Sequence, residues 1–155
     1  FYSVTGKSTC TEYRQVDFDT LLAESDFLSL HCPLSELTMN LIGEAALKKM
    51  KKTAILLNVA RGRVVDNRAL YQALVDGGIA AAGLDVVESE PLELSNPLAG
   101  LKDSNQLIIT PHLAWASVEA RTRCVWEAHE NIAAFLRGES RNVVNLDKIG
   151  TSIVN

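Results

Sequence analysis

The chain has 155 residues, is 47% hydrophobic and carries a formal charge of −4, which suits one globular domain burying roughly two thirds of its unfolded-chain surface. That acidic balance argues against nucleic acid as the main partner, because polyanion binders carry a basic stripe that displaces counterions. No apolar run approaches the ~18 residues needed to cross a bilayer, and no basic stretch precedes an apolar leader, so no membrane role is expected.

Phe1-Tyr2-Ser3-Val4 reads as the end of a strand, so the chain is expected to begin in mid-fold. Asp17 or Asp19 caps a short helix through Leu21, Leu22 and Ala23, and Phe27 to His31 reads as a strand stopped by Pro33. A helix from Glu44 to Met50 precedes a strand from Thr53 to Asn58, whose unbroken apolar run suits burial on both faces. Asp66 caps a helix with Ala69, Leu70, Ala73 and Leu74 on one face, ended by Gly77-Gly78. Ile79 to Val87 and Leu107 to Thr110 are the remaining strands, separated by a loop from Glu88 to Asn105. Ser117 caps the longest helix, a packing helix with Val118, Thr122, Val125, Trp126, His129, Ile132, Ala133 and Leu136 in one stripe up to Gly138. The polar tail from Asn142 to Asn155 either extends onto another domain or frays. Alternating strands and helices predict an α/β fold with a doubly wound parallel sheet.

Three cysteines, Cys10, Cys32 and Cys124, lie far apart with neither a CxxC pair nor metal-ligand spacing. They read as thiols of a reduced, cytoplasmic chain that holds no metal. Three other segments carry chemistry: Asn58-Val59-Ala60-Arg61-Gly62, Gly83 to Pro91, and Thr110-Pro111-His112. Each follows an apolar run, at the carboxyl ends of strands where open parallel sheets bind ligands. An arginine there can clamp a carboxylate through two parallel hydrogen bonds. A histidine beside a carboxylate can give or take a proton at neutral pH, a description that His112 with Glu90 fits. This trio suits interconversion of a 2-oxo acid and a 2-hydroxy acid. The carbon must also receive a hydride, which no side chain supplies, so a nicotinamide cofactor is implied.

The chain resembles the D-isomer-specific 2-hydroxyacid dehydrogenases as far as about Asn145. The family pattern His-x-Pro-Leu-x-x-x-Thr stands as His31 to Thr38, Asn-x-x-Arg-Gly as Asn58 to Gly62, Gly-Leu-Asp-Val-x-x-x-Glu-Pro as Gly83 to Pro91, and Thr-Pro-His as Thr110 to His112. The resemblance implies that Arg61 binds the substrate carboxylate, that His112 is the proton donor in reduction and that Glu90 supports it. It also implies that Asp85 orients the nicotinamide carboxamide, and that Cys32, Pro33, Val59, Ala60, Arg61, His112 and the stretch Leu113-Ala114-Trp115 line the cofactor. Glu88 matches no catalytic position and reads as a solvated side chain. His112-Leu113-Ala114-Trp115-Ala116-Ser117 is most similar to the glycerate dehydrogenases, also called hydroxypyruvate reductases, although a core tryptophan at Trp115 is an equal reading. His31 reads as a strand terminator near the cofactor, and His129 as a packing histidine.

In NAD-preferring members the second strand ends in an acid that accepts hydrogen bonds from the ribose 2′-hydroxyl. Here Ser3-Val4-Thr5-Gly6-Lys7 holds no acid, and Ser3 and Lys7 suit a 2′-phosphate, so of NAD and NADP the second is favoured. None of the nine glycines forms a Gly-x-Gly-x-x-Gly turn. The expected Rossmann-type sheet is therefore incomplete, lacking its first strand and glycine-rich loop, with an open slot where a central strand belongs. Residues 1–116 are expected to form a partial dinucleotide-binding domain, with 117–155 returning to a discontinuous substrate domain. On this reading the chain is the C-terminal portion of a longer protein, a homodimer by resemblance, and inactive when isolated. A dinucleotide-sensing scaffold similar to the C-terminal-binding-protein corepressors stays open as an alternative. Formate oxidation is disfavoured, because formate-specific members carry glutamine where Glu90 stands.

Overall fold

The computed structural model describes residues 1–8, 10–101 and 103–144. The order of elements is α1 (Phe18–Glu24), β1 (Phe27–Leu30), α2 (Glu44–Leu47), β2 (Ile55–Asn58), α3 (Asn67–Val75), β3 (Ala81–Leu84), β4 (Leu107–Ile109) and α4 (Val118–Leu136), with single 3-10 turns at Gly62–Val64 and Pro97–Leu101. Asp17, Asp66 and Ser117 are the side-chain caps of α1, α3 and α4, each accepting a backbone amide of the first turn. Gly77 and Gly138 follow α3 and α4 with φ of +65° and +74°, where a side chain would be strained. The tail from residue 145 onward lies outside the described residues.

The four strands form one parallel sheet in the order β1-β2-β3-β4. Register pairs Phe27 with Ile55, Ile55 with Ala81 and Ala82 with Leu107. The ladder is shorter than the apolar runs that announced it. Ile79, Val86 and Val87 are buried but lie outside the paired residues, so their hydrophobicity reports burial and not pairing. One backbone bond continues past the strands, from the Asp85 amide to the Asn58 carbonyl at 2.9 Å.

Burial alternates along β1, β2 and β3, so Leu28, Leu30, Leu56, Ala82 and Leu84 face one core. Leu22 of α1, Leu47 of α2 and Leu70 and Leu74 of α3 join the same cluster. The opposite face of β2, through Ile55 and Leu57, is only half-buried, which corrects the expectation of a strand covered on both faces.

Four further expectations are corrected. Phe1 to Val4 is not a strand: Ser3 to Gly6 closes a turn, with the Gly6 amide donating to the Ser3 carbonyl at 2.9 Å and Gly6 at φ +71°. The helix from Glu44 ends at Leu47, because the Lys49 and Met50 amides bond three residues back and tighten the chain into a 3-10 turn. The α4 stripe is exposed, with Trp126 at 63% and Leu136 at 78%, and the buried residue of that helix is Ala134. Trp115 is exposed as well, against the core reading.

Two compact units emerge, Phe1–Leu113 and a second beginning at Ala114. In the first, a cavity of about 520 Å³ lies between residues Phe1 to Thr5 and β1. Leu56 is fully buried at the centre of the sheet. Truncation of such a leucine removes its transfer energy and leaves a hole. Leu56→Ala is expected to lower unfolding free energy by about 2–5 kcal/mol in urea titrations.

Candidate active site

Because the sheet is parallel, the loops after all four strands leave from one end. Asn58 closes β2 as a fully buried amide. Its Oδ1 accepts the Ala60 amide at 3.1 Å and its Nδ2 donates to the Arg61 carbonyl at 3.0 Å, so one side chain shapes the whole turn that carries Arg61. The next residue must be glycine: a Cβ on Gly62 would stand 1.9 Å from the Val87 carbonyl oxygen. The Arg61 loop therefore lies directly on the loop leaving β3. The Arg61 guanidinium is exposed and donates from Nη1 to the Ala60 carbonyl at 2.7 Å. A guanidinium carries five donors in a planar fork, so that bond leaves capacity for a bidentate carboxylate.

His112 and Glu90 meet across the next two loops. Nδ1 of His112 lies 2.9 Å from Oε2 of Glu90, while Oε1 of Glu90 accepts the Val87 amide at 3.3 Å. A carboxylate can only accept, so Nδ1 carries the proton of this bond and Nε2 is left to exchange one with a substrate. The hydrogen bond from His112 is the largest effect and holds Glu90 below the usual carboxylate range; desolvation opposes it, and the Val87 amide and the imidazole charge add to it in smaller measure. Both side chains are about two-fifths exposed, 42% for His112 and 40% for Glu90. Asp85, Val87, Glu90, Thr110 and His112 line a cavity of about 350 Å³. Arg61 does not line it. Its loop adjoins through the Gly62 contact with Val87.

His112 has φ +55°, a left-handed conformation that costs a residue with a Cβ roughly 1–2 kcal/mol. Asp85 supplies the compensating bonds. Its carbonyl accepts the His112 amide at 2.9 Å, and its Oδ1 accepts the Leu113 amide at 2.8 Å and the Thr110 hydroxyl at 2.5 Å.

Among the cofactor candidates, Ser3, Cys32 and Pro33 are brought together, with Thr5 and Ser8, around the 520 Å³ cavity beside β1. Burial pushes the Cys32 thiol up from its ordinary value, which disfavours its thiolate, the reactive form. Lys7 does not line that cavity; its carbonyl accepts the Ser3 hydroxyl at 2.7 Å. Val59 is exposed, Ala60 is buried, and Ala114 opens the second unit.

Three residues with local roles stood in the motifs without a role assigned from sequence. Thr38, almost fully buried, donates to the Pro33 carbonyl at 2.7 Å and accepts the Ser35 amide at 2.8 Å, fixing the loop after β1. Asn58 and Thr110 do the same for the other two loops. Their only sequence signal was a short polar side chain at the end of an apolar run.

Glu88 faces Arg63 at 3.8 Å, His31 bonds Ser29 at 2.9 Å, and His129 stacks on Trp126 with ring centroids 5.2 Å apart. Cys10, Cys32 and Cys124 are unpaired thiols. Among the described residues no group of three or more His, Cys, Asp or Glu is placed to hold a metal, and no helix is long and apolar enough to cross a membrane.

Residues 1–114 match the family model described as "D-isomer specific 2-hydroxyacid dehydrogenase, NAD binding domain". A glyoxylate reductase of Korarchaeum cryptofilum is 50% identical over 135 residues, covering 86% of this chain and 40% of the relative. A glycerate dehydrogenase of Methylorubrum extorquens is 50% identical over 129 residues, covering 83% of this chain and 41% of the relative. Among solved structures, an NAD complex of a D-isomer-specific 2-hydroxyacid dehydrogenase from Lactobacillus delbrueckii ssp. bulgaricus superposes with a TM-score of 0.79 at 35% identity, covering 91% of this chain and 46% of the other. The chain thus spans less than half the length of the proteins it matches.

The Glu90 geometry has a direct titration test. A carboxylate held low in the folded state adds stability above its unfolded pKa, and that stability is lost as pH falls through the folded value. Since the His112 bond is the largest cause, His112→Ala is expected to move the Glu90 titration midpoint up toward that of a free glutamate. Carbon-detected NMR of the Glu90 carboxyl reads it; an unmoved midpoint would assign the effect elsewhere.

Proposed function

This chain belongs to the D-isomer-specific 2-hydroxyacid dehydrogenase family, and we propose that, within the whole protein, it reduces a glyoxylate- or hydroxypyruvate-like 2-oxo acid to the D-2-hydroxy acid. The observation that carries this reading is the 2.9 Å pairing of His112 with Glu90, on loops adjoining the one that presents Arg61. The glyoxylate reductase and glycerate dehydrogenase names of its relatives support the substrate class.

Arg61 anchors the substrate carboxylate and thereby orients the 2-oxo carbon. His112 gives its Nε2 proton to the carbonyl oxygen as that oxygen gains charge, and Glu90 stabilises the imidazolium that gives it. In oxidation the same nitrogen takes the proton back. When bound, a nicotinamide dinucleotide supplies or accepts the hydride. The cavity lined by Ser3, Thr5, Ser8, Cys32 and Pro33 fits such a group, since it joins apolar walls from Leu30 and Leu41 to a rim of hydroxyls. Asp85 belongs to the same reading as the acid facing the carboxamide. The exposed stripe of α4 supports its assignment as the return to the substrate-binding part of the whole protein, and the three unpaired thiols support a reducing, cytoplasmic setting.

Steady-state kinetics on a panel of 2-oxo acids test the roles separately. Arg61→Ala is expected to raise KM for the acid by about 100-fold, the loss of a charge-assisted pair. His112→Ala is expected to lower kcat by about 10²–10⁴-fold. Unchanged kinetics in both variants would remove the assignment.

NADP(H) is the preferred dinucleotide on this reading. The segment after Tyr2 holds Ser3, Thr5 and Lys7 and no acid, and because the Ser3 hydroxyl is engaged by the Lys7 backbone, the Lys7 ammonium is the group that answers a 2′-phosphate. KM for NADPH is expected below that for NADH, and Lys7→Ala is expected to raise KM for NADPH alone. A strong preference for NADH would overturn this.

A further inference from the structure

We propose that Thr110 is a positioning residue that holds the His112 imidazole on Glu90, acting through the Asp85 carboxylate. Pro111 restricts the residue before it to extended backbone, and the chain then turns into the left-handed region at His112, φ +55°. That turn aims two successive amides, those of His112 and Leu113, at the carbonyl and Oδ1 of one residue, Asp85, at 2.9 and 2.8 Å. The His112 conformation is thereby tied to the rotamer of the Asp85 side chain.

Asp85 is only 7% exposed, so its carboxylate is oriented by protein donors more than by water. Thr110 Oγ1 donates to the same Oδ1 that accepts the Leu113 amide, at 2.5 Å. The hydroxyl sets the carboxylate, the carboxylate sets the Leu113 amide, and that amide sets the peptide leaving His112. Removing the hydroxyl takes one donor from Oδ1 and loosens its hold on the Leu113 amide, so the left-handed residue relaxes and the bond from Nδ1 to Glu90 Oε2 weakens. Thr110 is itself exposed, so its methyl group contributes little to the core and substitution there leaves packing intact. Two acids, Glu90 and Asp85, face this loop. Only Glu90 pairs with the imidazole.

The kinetic half of the test rests on the reductase reading; the spectroscopic half does not. Thr110→Val and Thr110→Ala both remove the hydroxyl, and Thr110→Ser retains it. Val and Ala are expected to lower kcat about tenfold, as for a misaligned catalytic group, with KM for the 2-oxo acid within about twofold of wild type because Arg61 is untouched. Both are expected to move the Glu90 carboxyl titration upward, and Ser is expected to restore both readouts. A Glu90 midpoint unmoved in Val and Ala overturns the proposal, as does a Ser variant as impaired as Val. If wild-type protein turns over no 2-oxo acid, the reductase reading fails while the Glu90 titration still decides the role of Thr110.

Discussion

The backbone bond from the Asp85 amide to the Asn58 carbonyl is the joint on which the site depends. It extends the β2–β3 ladder beyond its last paired residues and fixes two buried polar side chains next to each other. Asn58 shapes the turn that presents Arg61. Asp85 organises the turn that presents His112. Each polar group is buried with its partners supplied locally, as burial away from water requires, so the charged groups at the surface inherit their placement from buried residues.

A second constraint is steric. The contact of Gly62 with the Val87 carbonyl admits no side chain, so the loop holding the cation and the loop holding the carboxylate approach as closely as two backbones can. The loop that carries Arg61 and the loop that carries Glu90 are thus neighbours although those two residues stand 29 positions apart in the sequence numbering.

The existence and order of the elements were legible because their signals are local: acids or serine at helix starts, glycine after helix ends, apolar runs between them. Strand limits were not. Val86 and Val87 look like strand in sequence, yet they leave the ladder because β4 ends at Ile109 and the chain must turn toward Glu90. The arginine, the acid and the histidine could be named from their motifs, but the Thr110–Asp85–Leu113 bonding could not, since it depends on the backbone of His112 adopting a conformation that histidine seldom takes. Nor did periodicity reveal whether the apolar stripe of α4 meets a partner; a repeat of 3.6 records which face is apolar and not what covers it.

The partly buried Cys32 has a practical consequence. Its thiol is shielded and its thiolate disfavoured, whereas Cys10 and Cys124 stand in solvent. Maleimide and iodoacetamide dyes will accordingly attach at the two outer positions first and leave the cleft unlabelled. Fluorophores can thus be mounted on each compact unit of the native sequence with no cysteine removed beforehand.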